Sequence, residues 1–120
     1  MGIIAEQWRT SEGVHLDVQR ATGLRRATGL IGRRLPAPGC ALCFTRCSSV
    51  HTVAMRRSID VVFLGHGGSV LRTCTLGPWR AAVHLGAREV LELAPGEAAR
   101  VGLVPGASAR LIKTTKRRVS

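Results

Sequence analysis

The sequence predicts a single, mainly β domain with one or two short helices, and three observations carry that expectation. Ile59-Asp60-Val61-Val62-Phe63-Leu64 is a nearly all-apolar run of β-branched and aromatic residues closed by Gly65, Gly67 and Gly68, as a buried strand entering a turn should be. Val14-His15-Leu16-Asp17-Val18 and Glu89-Val90-Leu91-Glu92-Leu93 alternate apolar and polar residues with the period of two that marks half-buried strands. The hydrophobic content is 45%, yet it includes only two Phe, two Trp and no Tyr, so the core must be built from Val, Leu, Ile and Ala.

The remaining elements follow in chain order. A length of 120 residues suits one compact domain and is short for two. Residues 1–13 are weakly patterned and read as an N-terminal arm with Trp8 as its anchor. The domain itself is expected over residues 14–112. Ala21, Leu24, Ala27, Thr28 and Ile31 fall at helical spacing, which predicts a short helix ending near Gly32, although Gly23 and Gly29 weaken it. Pro36 and Pro38 stiffen an extended loop before a strand at Cys40-Ala41-Leu42-Cys43-Phe44. The run from 59 to 64 should turn through Gly65-His66-Gly67-Gly68 into a partner strand over residues 69–76, forming a hairpin. After the strand at 89–93, Pro95-Gly96 turns the chain, residues 97–101 form one or two helical turns, and Gly102 stops them. A last strand lies near residues 109–112, and residues 113–120 read as a basic, mobile tail.

The net charge is +11, with eight arginines and no acid between Asp17 and Asp60. Such a field favours acidic partners: an anionic ligand, nucleic acid or a protein surface. Sixteen of the eighteen basic residues are Arg, beside abundant Ala and Gly, a bias that a G- and C-rich coding sequence produces by itself. The four scattered aromatics do not interleave with the basic residues as single-strand binders require. No apolar run reaches the ~20 residues that span a bilayer, and the first residues lack the pattern of a secretory signal, so the expected compartment is the cytoplasm.

Gly29-Leu30-Ile31-Gly32-Arg33, Ser49-Val50-His51-Thr52, Met55-Arg56, the 59–64 strand, Pro78-Trp79-Arg80 and Gly86-Ala87-Arg88-Glu89-Val90-Leu91-Glu92-Leu93 are strung in a fixed order. Together they resemble the bacterial and archaeal family labelled domain of unknown function 192, over about residues 15–112. The resemblance implies a small, mostly antiparallel β fold of barrel-like or jelly-roll character with one or two short helices. It implies no activity. The chain departs from the family pattern at Gly65, where an acid is common, and at Gly106-Ala107, where a Gly-Asp pair is common, so a family role for those carboxylates does not carry over.

Three constellations carry chemistry. His51, Met55, Arg56, Arg57, Asp60 and Trp79 gather around the best strand and form the candidate ligand-binding set of a non-catalytic binding or accessory module, with no cofactor expected. Asp60 is also a candidate functional acid of a catalytic site; its simpler role is structural, satisfied by an arginine or by backbone donors, because an unpaired buried carboxylate is costly. Cys40, Cys43, Cys47 and His51 offer three thiols and an imidazole, as a tetrahedral zinc site would want. Against zinc, residues three apart on a strand point to opposite faces, which separates Cys40 from Cys43. Cys47 with His51 or His84 is the candidate nucleophilic pair of a thiol enzyme, without a recognisable oxyanion hole.

Overall fold

A computed structural model of the chain describes residues 2–21, 36–52 and 56–118. Nine strands, one short α-helix and a 3-10 turn at His66–Gly68 are described: β1 (Gly2–Thr10), β2 (His15–Ala21), β3 (Cys40–Thr45), β4 (Ser49–His51), β5 (Ile59–Leu64), β6 (Val70–Leu76), β7 (Ala81–Val83), β8 (Glu89–Leu93), α1 (Glu97–Arg100) and β9 (Ala109–Arg118). Seven strands form one sheet in the order β6-β5-β8-β3-β2-β1-β9, while β4 and β7 pair separately. Neighbours run antiparallel except β2 and β3, which are parallel, so the sheet is mixed.

The two faces of the sheet bury different sets. On the first face Trp8, Leu16, Val18, Ala41, Cys43, Val62, Leu64, Leu91 and Leu93 form the main core, roofed by Ala98 of α1 and by Val101 and Leu103 behind it. On the second face Ile59, Val61, Phe63, Leu76 and Val90 pack against Val50 of β4 and Ala82 of β7. Covering on both sides is why all six residues of β5 are buried and why its sequence, Asp60 apart, reads as an apolar run.

The sheet curls until its edge strands approach, but it does not close into a barrel. Among the described residues the seam between the start of β6 and the approach to β9 holds a bridge between Ser69 and Ser108, the Val70 N–H to Ala107 carbonyl bond of 2.9 Å and the Gly106 N–H to Val70 carbonyl bond of 3.2 Å. Gly68 sits against this seam: a Cβ there would stand 2.0 Å from the Ala109 carbonyl oxygen, and its φ of +78° already favours glycine.

The predicted hairpin at 59–76, the strand at 89–93 and the helical turns ended by Gly102 are all present, Gly102 having φ +84°. Both chain ends differ from expectation. The stretch read as an arm is strand β1, inserted between β2 and β9, and residues 113–118 of the expected tail continue β9 along it. The expected helix around residues 21–32 starts in β2, which runs through Ala21, and its remainder lies outside the described residues.

Candidate functional site

The loop joining β6 to β7 is held by a buried threonine. Thr52, fully buried, donates its hydroxyl proton to the Gly77 carbonyl at 2.5 Å and accepts from the Arg80 N–H at 2.8 Å. Its backbone completes the clip, with Thr52 N–H to Arg80 O at 2.7 Å and Trp79 N–H to Thr52 O at 2.9 Å. The loop between these anchors is left with Trp79 in the left-handed region, φ +59°, a conformation that costs a non-glycine residue roughly 1–2 kcal/mol. Its indole is 67% exposed.

The sheet pairings bring the other sequence candidates to the same end of the molecule. His51 ends β4 opposite Ala81, next to Thr52, and it is exposed. Arg56 and Arg57 are exposed just before β5, whose first residue Ile59 pairs with Leu76 at the foot of the Trp79 loop. Arg80, the residue after Trp79, is exposed as well. The result is an aromatic side chain on a pinned loop with guanidinium groups on neighbouring segments. Met55, the remaining member of the expected set, lies outside the described residues.

Asp60 does not join this surface. It points to the first face, 3% exposed, where it accepts from the Thr75 hydroxyl at 2.7 Å and from the Ala98 N–H at 3.0 Å. The carboxylate therefore ties α1 to the centre of the sheet. Among the described residues its partners are a hydroxyl and a backbone donor, with no arginine among them.

The zinc constellation does not assemble among the described residues. Cys43 lies with Ala41 in the first-face core while Leu42, beside Cys40, packs toward the second, as strand alternation requires. Burial and the nearby Glu89 carboxylate push the Cys43 thiol far above its usual range, and burial also raises Cys40, so both are held as neutral thiols. Among the described residues no three His, Cys, Asp or Glu side chains converge as metal donors. Cys47 is half-buried against the second-face core, and its thiol donates to the Ser49 carbonyl at 3.1 Å. His84 tilts against Phe63 with ring centroids 6.1 Å apart, and its Nδ1 is buried with no hydrogen-bond partner.

Two charged features escape sequence reading. Arg20 on β2 bridges Glu6 of β1, at 3.0 Å, and Glu89 of β8. The Trp8 indole N–H donates to Glu6 at 2.9 Å, and the Cys43 thiol reaches Glu89 at 3.7 Å. Although burial pulls the guanidinium down, its hydrogen bonds to both carboxylates prevail and hold its pKa above the ordinary value. The second feature is Glu92, 5% exposed on the second face, with one carboxylate oxygen lacking any partner. Desolvation raises its pKa to about 7.

The surface around Trp79 combines an exposed aromatic residue, a backbone fixed by the Thr52 clip and exposed arginines on neighbouring segments. Comparison with known proteins agrees with the fold. A solved structure from Sinorhizobium meliloti 1021, provisionally described as a transcription regulator, superposes with a TM-score of 0.75 at 23% identity, covering 92% of this chain and 94% of that one. A protein of unknown function from Novosphingobium aromaticivorans DSM 12444 gives a TM-score of 0.72 at 22% identity over 90% of this chain and 84% of that one. No curated protein sequence matches significantly. The family model of domain of unknown function 192, described as "Uncharacterized ACR", matches residues 7–111, and with that span covering nearly the whole chain the protein belongs to this family.

Proposed function

We propose that the protein is a non-catalytic binding module that presents the Trp79 loop to a protein partner. The observation that carries this reading is an exposed tryptophan kept in a strained backbone conformation by a buried threonine clip. Strain of this kind persists where the surrounding structure over-determines it, and such positions cluster at functional sites. A tryptophan beside arginines is also the composition most enriched at binding hot spots. The partner surface that matches it combines an apolar pocket with carboxylates.

The test is affinity capture from the native host with wild-type protein and with Trp79→Ala, followed by measurement of binding to the recovered partner. Loss of a hot-spot tryptophan removes at least about 2 kcal/mol, roughly a thirtyfold weakening. Trp8 is already buried, so the indole whose emission shifts to the blue on binding is Trp79. Equal affinity of Trp79→Ala and wild type for the recovered partner would refute the proposal.

A further inference from the structure

A second surface, separate from the Trp79 loop, lies at the opposite end of β6 where β9 begins. A cleft of about 340 Å³ opens there, lined by Arg9, Thr10, Ser11, Ser108, Arg110 and Ile112. Arg9 and Arg110 are direct cross-strand partners on β1 and β9. The pairs on either side, Trp8 with Leu111 and Thr10 with Ala109, place the buried Trp8, Thr10 and Ala109 on the inner side, so the two exposed arginines share the outer one. Like charges directly opposite each other in a sheet are destabilising. Among the described residues neither arginine has a carboxylate within salt-bridge distance; the same-face acid on β2, Asp17, stands opposite Gln7.

The cleft is preorganised. Ser11 is tied to Ser108 twice, by its N–H to the Ser108 carbonyl at 2.8 Å and by its hydroxyl oxygen, which accepts the Ser108 N–H at 3.1 Å. The Ser11 hydroxyl proton remains available to a ligand, as an accepting hydroxyl keeps its own donor. Arg9 is oriented by donating to His15 Nε2 at 3.2 Å. The β1–β9 register slips between Gln7 and Trp8, leaving Ile112 without an opposite residue at the bulge, from where it forms an apolar wall.

We propose that this cleft is a phosphate-binding site, in which Arg9 and Arg110 hold a phosphate group between them, Ser11 donates a further hydrogen bond and Ile112 contacts the group the phosphate carries. Two guanidinium forks approaching from adjacent strands match the several oxygens of a phosphate, and the bound anion relieves their repulsion. The proposal does not depend on the function assigned to Trp79. Small phosphorylated metabolites and nucleic-acid backbones both carry such a phosphate, and the two sources separate experimentally.

The probes are inorganic pyrophosphate, titrated by calorimetry, and a fluorescent single-stranded oligonucleotide of about 20 nucleotides, titrated by anisotropy between about 50 and 200 mM salt. Saturable pyrophosphate binding that weakens at least roughly tenfold in Arg9→Gln and in Arg110→Gln is expected, with Arg88→Gln, which removes the same charge elsewhere, changing less than about twofold. Arg9→Lys keeps the charge but loses the fork, and should fall between. Both arginines are exposed, so the variants should fold; their melting temperature without ligand should equal or exceed that of wild type, and only wild type should be stabilised by pyrophosphate. Oligonucleotide binding that pyrophosphate displaces and Arg9→Gln abolishes would identify a nucleic-acid backbone as the source. Pyrophosphate binding with no oligonucleotide binding would identify a small phosphorylated molecule. Equal weakening in all three Gln variants, or no saturable pyrophosphate binding, would overturn the proposal.

Discussion

Replacing Glu92 by Gln should stabilise the protein by an amount that grows as pH rises from 4.5 to about 7 and is constant above that. Glu92 is buried among Leu42, Val61 and their neighbours with an unpartnered oxygen, and its carboxyl titrates at about 7 when folded against 4.5 in the free side chain. Between those values the folded protein holds a proton that the unfolded chain has released. The raised pKa therefore contributes stability that is full below pH 4.5 and is lost as pH rises through about 7. The interval is roughly 2.5 pH units, and at about 1.36 kcal/mol per unit the loss is about 3 kcal/mol. Gln is neutral at every pH and nearly isosteric with the protonated acid. Relative to wild type, Glu92→Gln should be nearly neutral at pH 4 and more stable by about 3 kcal/mol at pH 8.

Urea unfolding followed by tryptophan emission at several pH values measures this, and comparing the variant with wild type at each pH cancels the titration of every other group. That cancellation matters because Glu97 acts with the opposite sign. Its hydrogen bonds from Arg100 and the Gly39 N–H hold its carboxyl below the usual range, so its contribution is present above that range and lost as pH falls. A variant-minus-wild-type difference that is flat from pH 4 to pH 8, or a destabilised variant at pH 8, would refute the reasoning.

Other outcomes follow from the same contacts. Arg20→Ala strands two carboxylates against the core and should cost about 3–5 kcal/mol in chemical denaturation, whereas the combined Glu6→Gln, Arg20→Met and Glu89→Gln variant should lie close to wild type. Thr52→Val leaves the Arg80 N–H and the Gly77 carbonyl without their side-chain partner. It should cost about 1–3 kcal/mol and, in binding measurements, weaken any contact made through Trp79. Gly68→Ala forces a Cβ against the Ala109 carbonyl at the β6–β9 seam and should lose more than about 2 kcal/mol, read as a lower urea midpoint.

How much of this was legible depends on where each side chain's partner sits. β5 and β8 could be read because apolar residues dominate them, and the α1 turn because Gly96 and Gly102 bracket it. β1 was hidden because one of its inward residues is Glu6, whose charge is matched by Arg20 on β2 and whose burial no local pattern announces. Glu92 looked like the solvent side of an alternating strand, yet the sheet is covered on both faces where β8 runs. The zinc pattern failed on strand geometry, which puts Cys40 and Cys43 on different faces. Trp79 was visible in the Pro78-Trp79-Arg80 motif, but its exposure depends on the distant Thr52 clip. Arg9 and Arg110 come together only through pairing of the first and last strands, a juxtaposition that no window of sequence contains.

The most direct test of the binding role is site-specific photo-cross-linking in the native host, with a photoreactive aromatic residue at position 79 and, as control, at the exposed Val104. A discrete adduct formed from position 79 and absent from position 104 is the expected result. No adduct at position 79, or the same set of adducts from both positions, would contradict a partner surface centred on Trp79.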